Sequence, residues 1–308
     1  MQDNIVDTLA TRIHQMDAPI VVGIDPILEY IPLSLKEHFY KKYGHTTKAV
    51  SEIFFEFSKN IIDSVFDIVP CIKPQIAMFE MFGSNGIDAY TKTIRYAKQK
   101  GMIIISDIKR GDIASTAKSY SIGHLGNIQI ENNIEPVFNS DFITVNPYLG
   151  YDSIEPFLEE CTKFNKGLFV LVKTSNPNSG DIQDIITERK QPLYIEIAKM
   201  VNNWGADYIG NKGFSRIGAV VGATYTDIAK EIRKIMPHTF FLVPGYGSQG
   251  ANSNELIPFF NKNKTGAIIN NSRGIIYSYL NNKKIDEENY AKSARNATLK
   301  MIKEIQEF

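Results

Sequence analysis

Short apolar runs rich in β-branched residues recur eight times along this chain. Averaged over the chain, successive runs start roughly 35 residues apart, which is the length of a strand, a loop, a helix and a second loop. The stretches between the runs place apolar residues at steps of three and four among charged ones, which is typical of amphipathic helices. The sequence therefore predicts eight strands alternating with helices, the strands lying at 20–24, 68–72, 102–106, 141–145, 167–172, 216–222, 239–243 and 266–270.

This alternation predicts a parallel sheet, because parallel neighbours are joined by helical crossovers. Eight units with nothing left over predict an α/β fold of the (β/α)₈ TIM-barrel type, with a doubly wound sheet as the alternative. The longer polar connections, about 26–50 and 176–215, are interpreted as elaborations of one barrel domain spanning 1–308. The predicted helices cover 51–67, 86–100, 113–130, 192–203, 224–235 and 290–306.

Composition excludes several classes of protein. Lysine plus arginine and aspartate plus glutamate both number 34, so no overall basic field exists to attract nucleic acid. Cys71 and Cys161 lack the spacing of a disulfide framework or a zinc site, and no run reaches membrane-spanning length. We expect a cytoplasmic protein without a metal. The histidines also lack ligand spacing and are expected in surface or capping positions: His14, His38, His45, His124 and His238.

Charged residues directly follow several predicted strands. Active sites of barrels lie at the carboxyl ends of their strands, so Asp25, Lys73, Asp107 and Lys109 are candidates for one site. Asp107 and Lys109 are two residues apart, which places both on the same face of a regular strand. A structural ion pair is the alternative for these two, and a helix N-cap is the alternative for Asp112. Together with Lys73, they predict an alternating array of ammonium and carboxylate groups.

The segment Gly245–Gly250 matches the Gly-x-Gly-x-x-Gly pattern. Dinucleotide binding is disfavoured, because the next strand ends in Asn270 and Asn271 rather than in an acidic residue. In a barrel these are the seventh and eighth loops, which commonly bind phosphate. Gln249 and Arg273 are the predicted donors there, while plain turn glycines and a surface arginine are the alternative.

Lys173 ends the fifth predicted strand. It is a candidate for the Schiff-base lysine of an aldolase, which would be a different reaction class. The alternative for Lys173 is a place in the outer layer, against a helix.

The run Asp107-Ile108-Lys109-Arg110-Gly111-Asp112-Ile113-Ala114-Ser115-Thr116 resembles the Asp-x-Lys-x-x-Asp-Ile-x-x-Thr signature of the orotidine 5′-phosphate decarboxylase family. The Arg-Gly in its middle is similar to the longer bacterial-type branch. Further short segments of similarity are spread over most of the chain, at 23–26, 73–75, 145–150, 171–177, 244–250 and 271–274.

The resemblance implies a (β/α)₈ homodimer that needs no cofactor and converts orotidine 5′-phosphate to uridine 5′-phosphate and carbon dioxide. It implies that Lys109 protonates C6 of the pyrimidine, that Asp107 lies beside the substrate carboxylate, and that Lys73 with Asp112 holds the ribose and the array of charges. Asp112 and Thr116 would come from the partner subunit. Ser272 departs from the glycine of many members. The implied substrate-binding residues are Asp25, Thr116, Thr174, Ser175, Gln249, Gly250 and Arg273.

Two further alternatives stay open. Related magnesium-dependent sugar-phosphate lyases share the Asp-x-Lys-x-x-Asp core, but they would need another acidic ligand near the strand ends, and Asp25 is the candidate. A non-catalytic barrel that binds anions would bind nucleotide without turnover. Six charged residues at one rim are more than such a barrel needs.

Overall fold

The chain folds around a closed barrel of parallel strands. The computed structural model describes residues 4–246, 253–281 and 287–307. Eight strands succeed one another around the barrel in chain order, and the last returns to the first. The predicted TIM barrel is therefore confirmed. Its strands are β1 (Ile20–Ile24), β2 (Cys71–Pro74), β3 (Ile103–Arg110), β6 (Phe142–Val145), β7 (Gly167–Lys173), β8 (Ser215–Val221), β9 (Thr239–Pro244) and β10 (Ala267–Asn271).

All eight apolar runs form barrel strands, because their side chains are buried on both faces of the sheet. Helices surround the barrel, and five of the six predicted helices match observed ones within a few residues. The described helices are α1 (Ile5–Met16), α2 (Leu33–Tyr43), α3 (Thr47–Val65), α4 (Ile76–Glu80), α5 (Gly83–Gln99), α6 (Ala114–His124), α7 (Glu155–Phe164), α8 (Gly180–Gln183), α9 (Leu193–Gly205), α10 (Thr226–Ile235), α11 (Arg273–Ile276) and α12 (Tyr290–Gln306).

The one predicted helix that does not match, over 113–130, is wrong in its second half. Helix α6 ends at His124, and the chain then forms an antiparallel hairpin of β4 (Asn127–Ile130) and β5 (Asn133–Pro136). The turn between them contains Glu131 with a φ of 53°, a left-handed conformation that hairpin turns require. Short strands with mixed polar residues give no clear alternation, so the helical spacing that precedes them extended the prediction too far.

The chain comprises two compact units. One contains the residues up to Gln15 and Lys109–Asn270, and the other contains Met16–Ile108 and Asn271–Glu307. In the first unit, the buried carboxylate of Asp7 in α1 accepts hydrogen bonds from the backbone N–H groups of Asn211 and Lys212, at 2.8 and 2.7 Å. The prediction of a single domain over 1–308 stays a prediction.

The second unit is built around aromatic packing. Phe57 of α3 stacks on Tyr277 and on Tyr290 of α12, with ring centroids 5.8 and 5.0 Å apart. Of the two predicted elaborations, 26–50 holds helix α2, whereas 176–215 contains the short helix α8 and the regular barrel helix α9. Among the described helices, none is both long enough and apolar enough to cross a membrane.

Candidate active site

A buried ion pair lies at the carboxyl ends of β2 and β3. Lys73 Nζ is 2.6 Å from Asp107 Oδ2, and both side chains are more than nine-tenths buried. The pairing of β2 with β3 sets this distance, since the two strands run in parallel register and a further bridge joins Gln75 to Asp107. Lys73 and Asp107, both predicted from the sequence, are therefore brought together.

Two carboxylates keep the Lys73 side chain charged. Burial alone would lower the pKa of Lys73, because a low dielectric disfavours an ammonium ion. The negative charges of Asp107 and Asp25, together with the hydrogen bond to Asp107, outweigh burial and raise the pKa above its usual value. Lys73 therefore carries a positive charge at neutral pH.

Asp25 lies in the loop after β1. The hydroxyl of Tyr277 accepts a hydrogen bond from the Ile27 N–H at 2.6 Å and donates one to the Asp25 carbonyl at 3.1 Å. Burial raises the pKa of Tyr277, so this hydroxyl stays protonated and able to donate. Asp25 Oδ1 is buried and has no hydrogen-bond partner among the described residues. An acceptor of this kind fits a hydroxyl group of a ligand.

Lys109 departs from regular strand geometry. Its φ is +45°, in the left-handed region that non-glycine residues rarely adopt, and its side chain is exposed. The backbone N–H of Lys109 donates to Thr144 Oγ1 of β6 at 2.9 Å. The rule that side chains two residues apart share a face assumes a regular strand, so it does not apply between Asp107 and Lys109. Backbone strain of this kind is concentrated at functional sites.

The segment after Lys109 runs close to the end of β6. The Arg110 carbonyl accepts from the Asn146 N–H at 2.8 Å, and a Cβ on Gly111 would lie 2.8 Å from the Asn146 carbonyl oxygen. Glycine is therefore required at position 111.

Asp112 is half-buried and accepts from the Ile113 N–H at 2.8 Å, but Ile113 itself occupies the N-cap position of α6. The N-cap alternative for Asp112 is thus wrong. Thr116 lies in the first turn of α6 and is half-buried.

His124 is buried, so the surface part of the prediction of surface or capping positions is wrong for this residue. It lies at the end of α6, and its ring stacks on Phe138 at 4.6 Å. Burial, with a further contribution from the charge of Arg110, lowers the pKa of His124 to about 3. The guanidinium of Arg110 in turn lies over the ring of Tyr120, 5.6 Å from its centroid. His124 is therefore neutral, and the segment that carries Lys109 is packed against α6.

Thr174 and Ser175 follow β7. Gln183 of α8 accepts from the Thr174 N–H at 3.0 Å and donates to Thr174 Oγ1 at 2.8 Å, which fixes this residue. A Cβ at Gly222 would lie 2.7 Å from Ser175 Cβ, so the loop after β7 approaches β8 closely. The segment containing α8 thus positions Thr174, one of the predicted substrate-binding residues.

Lys173 is fully buried in a structural environment. Its Nζ lies 2.5 Å from Asp184 Oδ1 and over the rings of Tyr225 and Tyr194, at 4.6 and 5.3 Å from their centroids. A Schiff-base lysine must present an uncharged amine to a carbonyl substrate. The enclosed, ion-paired group supports the outer-layer alternative instead.

The predicted phosphate loops are described in part. Arg273 begins helix α11 and its side chain is exposed, while the Asn271 side chain accepts from the Gly274 N–H at 3.1 Å. Gln249 and Gly250 lie outside the described residues. Within the part of the chain that the structure describes, no three His, Cys, Asp or Glu side chains form a group that could hold a metal ion.

Sequence reasoning missed two residues that shape this region. Thr144 contacts the backbone of Lys109, and Tyr277 contacts the backbone around Asp25. Thr144 is an ordinary strand residue by type, and Tyr277 lies 252 positions from Asp25 along the chain. Neither carried a local signal, because the barrel topology alone brings them to these positions.

The protein has a parallel eight-stranded barrel with a buried lysine–aspartate pair at its strand ends. These features are typical of TIM-barrel enzymes. The family model described as "Orotidine 5′-phosphate decarboxylase / HUMPS family" matches residues 49–287, and the chain belongs to this family. The resemblance in the motif from Asp107 to Thr116 is thereby confirmed at the level of the family.

Named relatives match over nearly their whole length. An orotidine 5′-phosphate decarboxylase of Caldicellulosiruptor bescii is 44% identical over 278 residues, covering 90% of this chain and 91% of the relative. One from Clostridium tetani is 42% identical over 301 residues, covering 98% and 97%. The structure of Leishmania donovani OMP decarboxylase covers 99% of this chain and 98% of its own, with 27% identity and a TM-score of 0.73.

Proposed function

We propose that this protein is a carboxy-lyase that converts orotidine 5′-phosphate to uridine 5′-phosphate and carbon dioxide, the last step of UMP synthesis, without a cofactor. The observation that carries the proposal is the buried Lys73–Asp107 pair. Asp107 stands two positions before Lys109 in the family motif. The names of the relatives supply the substrate and the reaction.

The reaction breaks the bond between C6 and the carboxylate carbon, and the electron pair of that bond stays on C6. No carbonyl is placed to delocalise this pair, so catalysis requires a fixed positive charge beside C6. Lys109 supplies that charge as an ammonium ion and then transfers its proton to C6. The strained backbone at Lys109 supports this role, because such strain persists where a side chain must be aimed.

Asp107 is proposed to lie beside the substrate carboxylate. Repulsion between the two negative charges is relieved as carbon dioxide leaves, which adds to the effect of Lys109. The Lys73 ammonium, 2.6 Å from Asp107, compensates the charge of that carboxylate. Asp112 completes the alternating array of charges.

The other proposed contacts hold the nucleotide. Asp25 and Thr116 bind ribose hydroxyls, and the unpartnered Asp25 Oδ1 supports that role. Thr174 and Ser175 bind the pyrimidine edge. Phosphate is bound by Gln249, Gly250 and Arg273. Binding energy from the phosphate helps to close the site over the ring, so we expect weak activity on the unphosphorylated nucleoside.

The proposal includes a homodimer in which Asp112 and Thr116 serve the site of the other subunit. Ile113, Tyr148 and Leu149 support it, because these three apolar side chains are 60%, 79% and 47% exposed on the neighbouring segments that follow β3 and β6. Exposed apolar groups of this kind mark contact surfaces. Sedimentation velocity should give twice the 34.7 kDa of one chain. A fully active monomer would contradict this arrangement.

A cytoplasmic location is part of the same proposal. Cys71 and Cys161 are both buried and free in the described structure, as expected of a protein that folds in a reducing compartment.

Turnover of orotidine 5′-phosphate, followed by absorbance in excess EDTA, tests the proposed reaction. We expect rapid conversion that EDTA leaves unchanged. Folded protein that fails to convert the nucleotide would overturn the proposal. Activity on sugar phosphates that magnesium restores would favour the lyase alternative, and binding of nucleotide without conversion would favour the anion-binding barrel.

A further inference from the structure

The backbone of Lys109 is held by a side chain of the neighbouring strand. Thr144 lies in the middle of β6, is 1% exposed, and accepts the Lys109 N–H on its Oγ1 at 2.9 Å. Threonine is β-branched, so its χ1 angle has few options and its hydroxyl position is well defined. The hydrogen bond therefore fixes the amide of Lys109 against a rigid part of the barrel.

This contact acts at a strained position of the backbone. Lys109 has a left-handed φ of +45°, and such a conformation persists only when its surroundings hold it in place. The next peptide is tied to β6 as well, through the Asn146 N–H and the Arg110 carbonyl at 2.8 Å. Of these two hydrogen bonds, the one at Lys109 is accepted by a side chain and can be removed by substitution, whereas the one at Arg110 joins two backbone groups.

We propose that Thr144 is a positioning residue for the proton-donating lysine, an inference that rests on the proposed function. The hydroxyl fixes the turn of the backbone from which the Lys109 side chain projects, and thus the place from which its ammonium reaches C6. A displacement of about 1 Å at a reacting group can lower the rate by about 100-fold. Thr144 makes no proposed contact with the ribose or the phosphate, so it should affect the chemical step and not binding.

The substitution Thr144→Val tests this inference, because valine keeps the shape of threonine and removes the acceptor. We expect kcat to fall by about 10- to 100-fold, while KM changes by no more than about twofold. Thr144→Ser is the matched control, since it keeps the hydroxyl and removes only the methyl group. Its kcat should stay within about threefold of wild type. A general loss of packing would lower the activity of both variants.

Equal kcat values for the valine variant and the wild type would overturn the inference, as would an equal loss in the valine and serine variants. Circular dichroism shows whether each variant is folded. Should the valine variant not fold, Thr144→Cys takes its place with the same expected loss, because sulfur is a weak acceptor. A folded wild-type protein without any turnover would overturn the proposed function instead, a result that differs from a valine variant that is fully active.

Discussion

Replacement of Lys109 by alanine is expected to lower kcat at least about 10⁴-fold, because one side chain supplies both the charge that stabilises the carbanion and the proton that ends the reaction. Substrate binding should change much less, since the residues proposed for the phosphate and the ribose are untouched. The measurement is the rate of absorbance change at saturating orotidine 5′-phosphate.

Lys300→Ala is the matched control for Lys109→Ala. Lys300 lies on α12 with 78% of its side chain exposed, so its removal should leave the rate unchanged and the unfolding free energy within about 0.5 kcal/mol. A Lys109→Ala protein that retained more than about a tenth of the wild-type kcat would rule out Lys109 as the proton donor.

Replacement of Lys73 by methionine is expected to lower the free energy of unfolding by about 3–5 kcal/mol, because it removes the cationic partner of a buried carboxylate. Activity should be lost as well. Urea denaturation at neutral pH measures the first effect. Stability close to that of the wild type would show that the Lys73–Asp107 pair is not the buried, tightly coupled pair that its 2.6 Å distance indicates.

The contribution of Lys73 to stability should depend on pH in a defined direction. Its pKa in the folded protein is raised above the ordinary value of 10.5. The stabilisation is therefore complete below about pH 10.5 and is lost as pH rises through the folded-state pKa. The difference in unfolding free energy between the wild type and Lys73→Met should accordingly shrink in strongly alkaline solution.

The double variant Lys73→Met/Asp107→Leu separates stability from catalysis. Replacing both members of a buried ion pair with apolar residues of similar size is often neutral or stabilising, so most of the lost stability should return. The double variant should nevertheless stay inactive, because Asp107 is proposed to act on the substrate carboxylate and Lys73 is part of the same array of charges. Recovery of activity together with stability would contradict that role.

The barrel was predictable because its signal is repeated. Each strand is buried on both faces and must read as a continuous apolar run, and eight such runs separated by helical stretches leave few topologies. The hairpin of β4 and β5 was not predictable in the same way. Its residues are mostly exposed, so burial does not impose a pattern on them, and the turn at Glu131 depends on one unusual backbone angle.

The candidate site was predictable in its residue types but not in its geometry. A charged residue directly after a buried strand is a local signal, and Lys73 and Asp107 indeed form a pair. The contact that Thr144 makes with the Lys109 backbone comes from β6, which follows more than thirty residues later in the chain. Strand alternation cannot predict such a contact, because it describes a single regular strand and not the contacts between neighbouring strands.

The left-handed backbone at Lys109 sets two selection pressures against each other. Glycine adopts this conformation without steric strain, whereas lysine costs roughly 1–2 kcal/mol there. Selection of random variants for heat resistance alone would therefore enrich glycine at position 109, and selection for pyrimidine prototrophy would remove the same variants. A variant made more heat-stable by glycine at position 109 would therefore be an inactive enzyme.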